Sequence, residues 1–178
     1  MTIRTTLSHV ALHVRDLPAM ERFYGDVLGL QVSDRGHTAR LNCDMVFMSG
    51  NPEAHHQVVL MSGRPEEARL NPVNHMSFKI DSLSVLREIR DRARANGVEG
   101  LRAVNHGNAW SVYFPDPEGN TIEAFLDTPW HVPQPHGEAL DLDKSDAEII
   151  AETEAACAGE AGFMRRNDWD RAHSERLG

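Results

Sequence analysis

Leu7-Ser8-His9-Val10-Ala11-Leu12-His13-Val14 recurs in outline as Val73-Asn74-His75-Met76-Ser77-Phe78-Lys79-Ile80. Each stretch carries a His at its third position and reads as a strand. Each then runs into an Asp, Asp16 or Asp81, and a helix-like segment. After the first copy, Asp16 can cap a helix and Pro18 suits its first turn. Met20, Phe23, Tyr24, Val27 and Leu28 form one stripe over about 18–28, and Gly29 ends it. Strands are expected near 30–34, 38–48 and 56–62. After the second copy, Leu83, Leu86, Ile89, Arg90 and Ala93 fall in helical register over about 83–95, and Asn96-Gly97 stops them. Strands are expected near 101–104, 109–114 and 121–127. The plan is βαβββ written twice, with Ser62 to Pro72 as linker. A module of this size cannot bury its own face, so two must share a core. The fold class is therefore α+β: modules at about 5–62 and 72–127 pair into one open barrel within a domain at 1–135, followed by a helical extension at 136–178.

Composition bounds the function. The 178 residues are 40% hydrophobic and 25% charged, which suits a folded domain. A net charge of −9 disfavours nucleic acid or an anionic membrane as partner. No apolar run approaches the ~20 residues that span a bilayer, and no leader pattern is visible. Cys43 and Cys157 are two widely separated thiols, which fits a reducing cytoplasm better than a disulfide framework. Ten His is a high count, and several fall in strand-like runs where an imidazole needs a reason.

His9 and His75 occupy equivalent places in the repeat, and Glu123 lies in the last strand. Two His and one carboxylate form a facial triad, a ligand set that leaves positions open on a non-haem Fe(II). Mn(II) suits the same ligands. A lone strand His is more often structural; the repeat and the carboxylate raise this trio above that reading. The barrel is thus expected to enclose a metal held by His9, His75 and Glu123. His13 is read as structural or as a supporting neighbour of the ligands, His55 as exposed or packing, and His37 as exposed in a turn. Asp116-Pro117-Glu118-Gly119 is a turn by composition. In the extension, Ser145-Asp146-Ala147-Glu148 opens a helix, and Phe163 and Trp169 are candidates for docking on a neighbouring subunit.

Ser8 to Leu17, Phe23-Tyr24-Gly25-Asp26-Val27-Leu28-Gly29-Leu30, and Val112 to Glu123 with its Phe114-Pro115-Asp116-Pro117-Glu118-Gly119-Asn120 core resemble the opening and closing motifs of the vicinal oxygen chelate superfamily. This superfamily contains glyoxalases, bleomycin and fosfomycin resistance proteins, an epimerase and the type I extradiol dioxygenases. The resemblance covers about 7–127 and is nearest to single-domain extradiol catechol dioxygenases. It implies that metal ligands come from the first and last strands of each module. The fourth such place falls in Gln57-Val58-Val59-Leu60, which holds no carboxylate. The resemblance further implies that His56, second of the His55-His56 pair, is the catalytic acid–base, that Tyr113 orients the substrate hydroxyl, and that His106 assists it, with Asn108 as a nearby alternative. The implied function is cytoplasmic Fe(II)-dependent extradiol cleavage of a catechol by O2, giving a muconic semialdehyde, in a homo-oligomer. The alternatives are a glyoxalase-like metal-dependent lyase or isomerase, for which Gln57 would have to be the fourth ligand, and a metal-free small-molecule binding or resistance protein.

Overall fold

A computed structural model describes residues 5–68 and 72–177. Of the expected linker, Arg69, Leu70 and Asn71 lie outside the described residues. The elements run β1 (Val10–Val14), α1 (Leu17–Leu28), β2 (Gln31–Thr38), β3 (Cys43–Ser49), β4 (Val58–Ser62), β5 (Met76–Lys79), α2 (Leu83–Ala95), β6 (Arg102–Asn105), β7 (Ala109–Pro115), β8 (Thr121–Asp127), β9 (Trp130–His131), β10 (Glu138–Ala139), α3 (Asp146–Cys157), β11 (Met164–Arg165) and α4 (Arg166–Leu177). The architecture is mixed α+β with four helices among the described residues. The chain divides into two compact units. Of the described residues, one comprises 5–68, 72–74, 92–98 and 115–120; the other comprises 75–91, 99–114 and 121–177.

The repeat read from the sequence is present in the strand order. The first sheet runs β1-β4-β3-β2, and the second runs β5-β8-β7-β6 with β10 added at its edge. In each, the first and last strands of the module lie parallel, β1 with β4 and β5 with β8. The expected strand at 56–62 begins only at Val58, and the opening strand at Val10, so His9 and His56 sit just outside their strands. His37 lies within β2 rather than in a turn, where its ring meets Asp44.

In the first unit, α1 is set by its ends. Asp16 accepts from the Ala19 N–H at 2.9 Å, and Gly29 closes the helix at φ 73°. Its buried residues are Met20, Phe23, Tyr24 and Val27, and it packs on β4. Burial of such side chains stabilises by roughly 1.5–3 kcal/mol each. The opposite face of the sheet carries Cys43, Val59 and Met61 with Met45 and Phe47 packed against them.

The turn at 116–120 anchors this unit. Asp116 accepts four hydrogen bonds: the Glu118 and Asn120 N–H groups reach Oδ1 at 2.9 Å each, while Tyr24 O–H and Asn120 Nδ2 reach Oδ2 at 3.2 and 2.6 Å. Burial pushes the Asp116 carboxyl up, against the pull of these donors. Glu118 accepts from the backbone N–H groups of Arg15 and Asp16, and ion-pairs with Arg64 and Arg15. This hairpin turn thus clamps the β1–α1 junction through two carboxylates.

In the second unit, the extension packs in rather than trailing off. Arg87 of α2 donates to the carbonyls of Leu142 and Lys144 and to Asp146, each at 2.7 Å. Ser145 and Glu148 form a full capping box at the start of α3. Phe163 and Trp169, the candidates for a subunit contact, both have partners within their own chain. Phe163 stacks on the buried Trp130, and Trp169 lies between His131 and His173 at 4.7 and 4.5 Å. Asp127, ending β8, pairs with Lys79 of β5 and with Arg166 of α4 at 3.0 Å.

Two outcomes are expected. Asp116→Asn turns an amide towards the Tyr24 and Asn120 donors and should lower stability by about 2 kcal/mol in urea unfolding. For Asp127, burial raises the carboxyl, but Lys79 and Arg166 outweigh it and the net shift is downward. A depressed folded-state value gives stabilisation above the unfolded value of about 3.9 and loses it as pH falls through the lower folded value. The stability difference between wild type and Lys79→Met should therefore be present at pH 6 and shrink below pH 4; a difference constant across that range contradicts the pairing.

Candidate functional site

The strand registers decide which side chains stand at equivalent places. Val10 pairs with Val58, and Met76 pairs with Ile122. His9 and His75 each immediately precede the first strand of their module. Counting on by one pair, Ala11 faces Val59 and Ser77 faces Glu123. Val59 therefore holds, in the first unit, the position that Glu123 holds in the second. A buried valine has no donor atom for a metal. Gln57 does not replace it, because its amide oxygen accepts from the Gly50 N–H at 2.9 Å and from Ser49 at 3.4 Å.

In the first unit, His9 and His56 lie with ring centroids 4.4 Å apart. His56 also meets the edge of Phe47 at 5.2 Å, and its Nδ1 is 2.9 Å from Nδ1 of the exposed His55. Desolvation, then the neighbouring His9 and His55, push the His56 imidazole below its ordinary value. A neutral ring at neutral pH can accept a proton. His13 Nδ1 lies 3.2 Å from the Ser62 carbonyl, which only accepts, so His13 is an Nδ1–H donor at the strand edge.

In the second unit, His75 Nε2 lies 3.4 Å from Glu123 Oε2, and Tyr113 lies edge-on to His75 at 5.6 Å. Ser77 donates to Glu123. Burial alone would raise the Glu123 carboxyl, but hydrogen bonds from Ser77 and Tyr113 and the adjoining His75 outweigh it and hold the group below its ordinary range. Burial and Glu123 push the Tyr113 phenol well above its ordinary value, so it stays protonated. His106 Nε2 is 2.9 Å from the Tyr113 hydroxyl. Ser77, His106, Asn108, Tyr113, Glu123 and Gln134 line an open cavity of about 270 Å³. Ser77 and Gln134 were not singled out in the sequence. Ser77 could have been found from its place two residues after His75, on the same face of a strand, but Gln134 carries no local signal.

The second unit thus brings together His75, Glu123, Tyr113 and His106, and the first brings together His9 and His56. Among the described residues, no group of three or more His, Cys, Asp or Glu side chains is gathered tightly enough to hold a metal ion. The pair from the second unit does fit one. Two ligands 2.0–2.2 Å from one ion and at right angles stand about 3 Å apart, close to the His75–Glu123 separation. An ionised carboxylate beside an imidazole is also the donor chemistry that a hard or borderline divalent ion selects.

Sheets built this way, with motifs at both ends of each module, define a family. Residues 6–124 match the Glyoxalase/Bleomycin resistance protein/Dioxygenase superfamily, and the chain belongs to it. Among known proteins it is 33% identical over 132 residues to biphenyl-2,3-diol 1,2-dioxygenase 3 of Rhodococcus globerulus, covering 71% of this chain and 66% of that protein. It is 29% identical over 131 residues to biphenyl-2,3-diol 1,2-dioxygenase 2 of the same organism, covering 71% and 65%. The chain spans just under two thirds of the length of these two relatives. Among solved structures, fosfomycin resistance protein FosX from Listeria monocytogenes, crystallised with Mn(II) and sulfate, superposes with a TM-score of 0.55 at 24% identity, covering 71% of this chain and 95% of that one. This last likeness is one of fold. No helix of the described residues is long and apolar enough to cross a membrane.

The His56 environment gives a direct expectation. In nitrogen-detected NMR titration of metal-free protein, His56 should titrate below about 6.5, the ordinary imidazole value, and His9→Ala should move that midpoint upward. A midpoint at or above the ordinary value contradicts the described packing.

Proposed function

We propose that the protein is an extradiol ring-cleaving dioxygenase that opens a catechol-type ring with O2, using Fe(II) held by His9, His75 and Glu123. The barrel pairing of the two modules implied by the resemblance would bring His9 to the other two ligands. The observation that carries the reading is Val59 at the register position of Glu123. With Gln57 committed to Gly50, the donor set stops at three. A three-ligand ion keeps positions open for two substrate oxygens and O2. A glyoxalase-like lyase or isomerase expects a fourth protein ligand, so the same register disfavours it. The names of the two Rhodococcus relatives agree with ring cleavage.

Iron(II) held there would supply Lewis acidity towards a catecholate and one-electron chemistry towards O2. The chain supplies the rest. Each candidate His ligand has a candidate catalytic partner beside it, His56 next to His9 and Tyr113 next to His75. His56, neutral and with its Nδ1 engaged by His55, takes the proton of a substrate hydroxyl and returns it to a developing oxyanion. Tyr113, protonated, fixes the orientation of the remaining hydroxyl, and His106 holds Tyr113. Phe47 at the edge of His56 excludes water on that side. Both oxygen atoms of O2 enter the product, a muconic semialdehyde. Mn(II) would fit the same three donors.

The test is oxygen uptake by protein loaded anaerobically with Fe(II) and offered catechol, 3-methylcatechol and 2,3-dihydroxybiphenyl, with the yellow ring-fission product followed by absorbance. Stoichiometric uptake with a yellow product is expected. His56→Ala should keep its iron and lose at least about 100-fold in turnover. Iron-loaded protein that consumes no O2 with any of the three would overturn the reading, and full turnover by His56→Ala would remove His56 from its role.

A further inference from the structure

His106 and Tyr113 sit on a hairpin whose tight turn, residues 105–109, is gripped by chain lying beyond residue 124, where the family match ends. The grip is made on nearly every polar group of the turn. Thr128 Oγ1 donates to the Gly107 carbonyl at 2.6 Å, and its N–H donates to the Asn108 carbonyl at 3.0 Å. Gln134 Nε2 donates to the His106 carbonyl at 2.9 Å and to Asn108 Oδ1 at 3.2 Å. Glu138 and Ala139 of β10 pair with Asn105 and Val104. Gly107 has φ 70°, and a Cβ there would lie 2.7 Å from Val132 and 3.0 Å from Cys157, so the extension is packed directly on its backbone.

The deepest contact comes from α3. Thr153, 1% exposed, sits on the buried stripe between Ile149 and Cys157. Its hydroxyl accepts from Trp110 Nε1 at 2.8 Å and from Asn105 Nδ2 at 3.0 Å, while donating to the Ile149 carbonyl at 2.8 Å. Asn105 in turn accepts from the Gly107 N–H at 2.9 Å. One hydroxyl thus satisfies two buried donors on either side of the turn, and losing it would leave both without a partner.

The extension also acts on the His106 ring. His106 Nδ1 is 2.7 Å from the His136 carbonyl, and a carbonyl only accepts, so Nδ1 carries the hydrogen. In the neutral ring Nε2 then holds a lone pair, and it faces the Tyr113 hydroxyl at 2.9 Å. The one Tyr113 hydrogen is therefore shared between two acceptors, His106 Nε2 and Glu123, which leaves the Tyr113 oxygen lone pairs for a substrate hydroxyl.

We propose that the chain beyond residue 124 is a positioning device for the candidate site: through Thr153, Gln134 and the His136 carbonyl it fixes the 105–109 turn and holds His106 as the Nδ1–H tautomer, which in turn orients Tyr113. The catalytic meaning of this device rests on the dioxygenase reading; the tautomer and the hold do not. Thr153 is a positioning residue, remote from the reacting atoms and acting through Asn105 and Trp110.

The experiment uses the full chain, labelled with nitrogen-15 in histidine, in two-bond proton–nitrogen correlation spectra, with His106 assigned from its absence in His106→Gln. Wild type and Thr153→Ser should show His106 as a single Nδ1–H tautomer. Thr153→Val should show a mixture of the two tautomers. With Fe(II) and catechol, Thr153→Val should lose about tenfold in kcat with KM little changed, as expected for a misplaced group, and Thr153→Ser should recover most of it. An Nε2–H tautomer in wild type, or a folded Thr153→Val that keeps both its tautomer and its kcat, overturns the proposal. If Thr153→Val does not fold, the exposed Gln134→Ala is read by the same spectra against the same two outcomes. A tautomer that shifts as expected in a protein whose wild type turns over no catechol upholds the device and sinks the dioxygenase reading instead.

Discussion

The parallel pairing of first and last strand in each module is the constraint on which the site depends. It places the entry of one strand beside the body of the other, so a residue at the entry and a residue one pair further on are held on adjacent chains. In the second unit this brings His75 to 3.4 Å from Glu123. In the first, the same register sets Val59 where Glu123 would be. A shift of one residue in the β5–β8 ladder would turn the carboxylate to the opposite face. The two otherwise equivalent registers thus differ in a valine in one and a glutamate in the other, and the proposed chemistry rests on that asymmetry, which gives the first unit no carboxylate at the position.

The electrostatics of the two halves are complementary in kind. Glu123 is kept ionised by donors despite its burial, which readies it as a ligand. His56 is kept neutral by desolvation and by two neighbouring imidazoles, which readies it as a base. Tyr113 is kept protonated, with its hydrogen directed to His106 and Glu123, which readies its oxygen to accept from a substrate hydroxyl. Three groups with different ordinary affinities for protons are thus each held in the state their proposed task requires at neutral pH.

Most of the architecture was legible because the repeat is written in short-range signals. Asp16, Pro18 and Gly29 mark α1 at both ends, and alternation marks the strands. The boundaries that slipped, at His9 and His56, slipped because a residue just outside a strand keeps the alternating pattern without joining the ladder. Val59 could not be recognised as the vacant ligand position from the sequence, since which of Gln57, Val58, Val59 and Leu60 faces Ala11 is a property of the ladder. The role of the extension was hidden for a different reason. Its contacts with the 105–109 turn span some 20 to 48 residues, and only Thr153, a polar residue within an otherwise buried stripe, hints that a partner waits. The packing of Phe163 and Trp169 was hidden in the same way, since their partners, Trp130 and His131, lie more than 30 residues away in the chain.

The central claim is a metal centre of three ligands drawn from both modules. The most direct measurement is metal content after anaerobic Fe(II) loading and desalting, compared across wild type, His9→Ala, His75→Ala, Glu123→Gln and Gln57→Ala, with folding checked in each by near-ultraviolet circular dichroism. One iron per chain is expected in wild type and in Gln57→Ala, and loss of iron in the other three. Retention of iron by His9→Ala, or its loss from a folded Gln57→Ala, would contradict it.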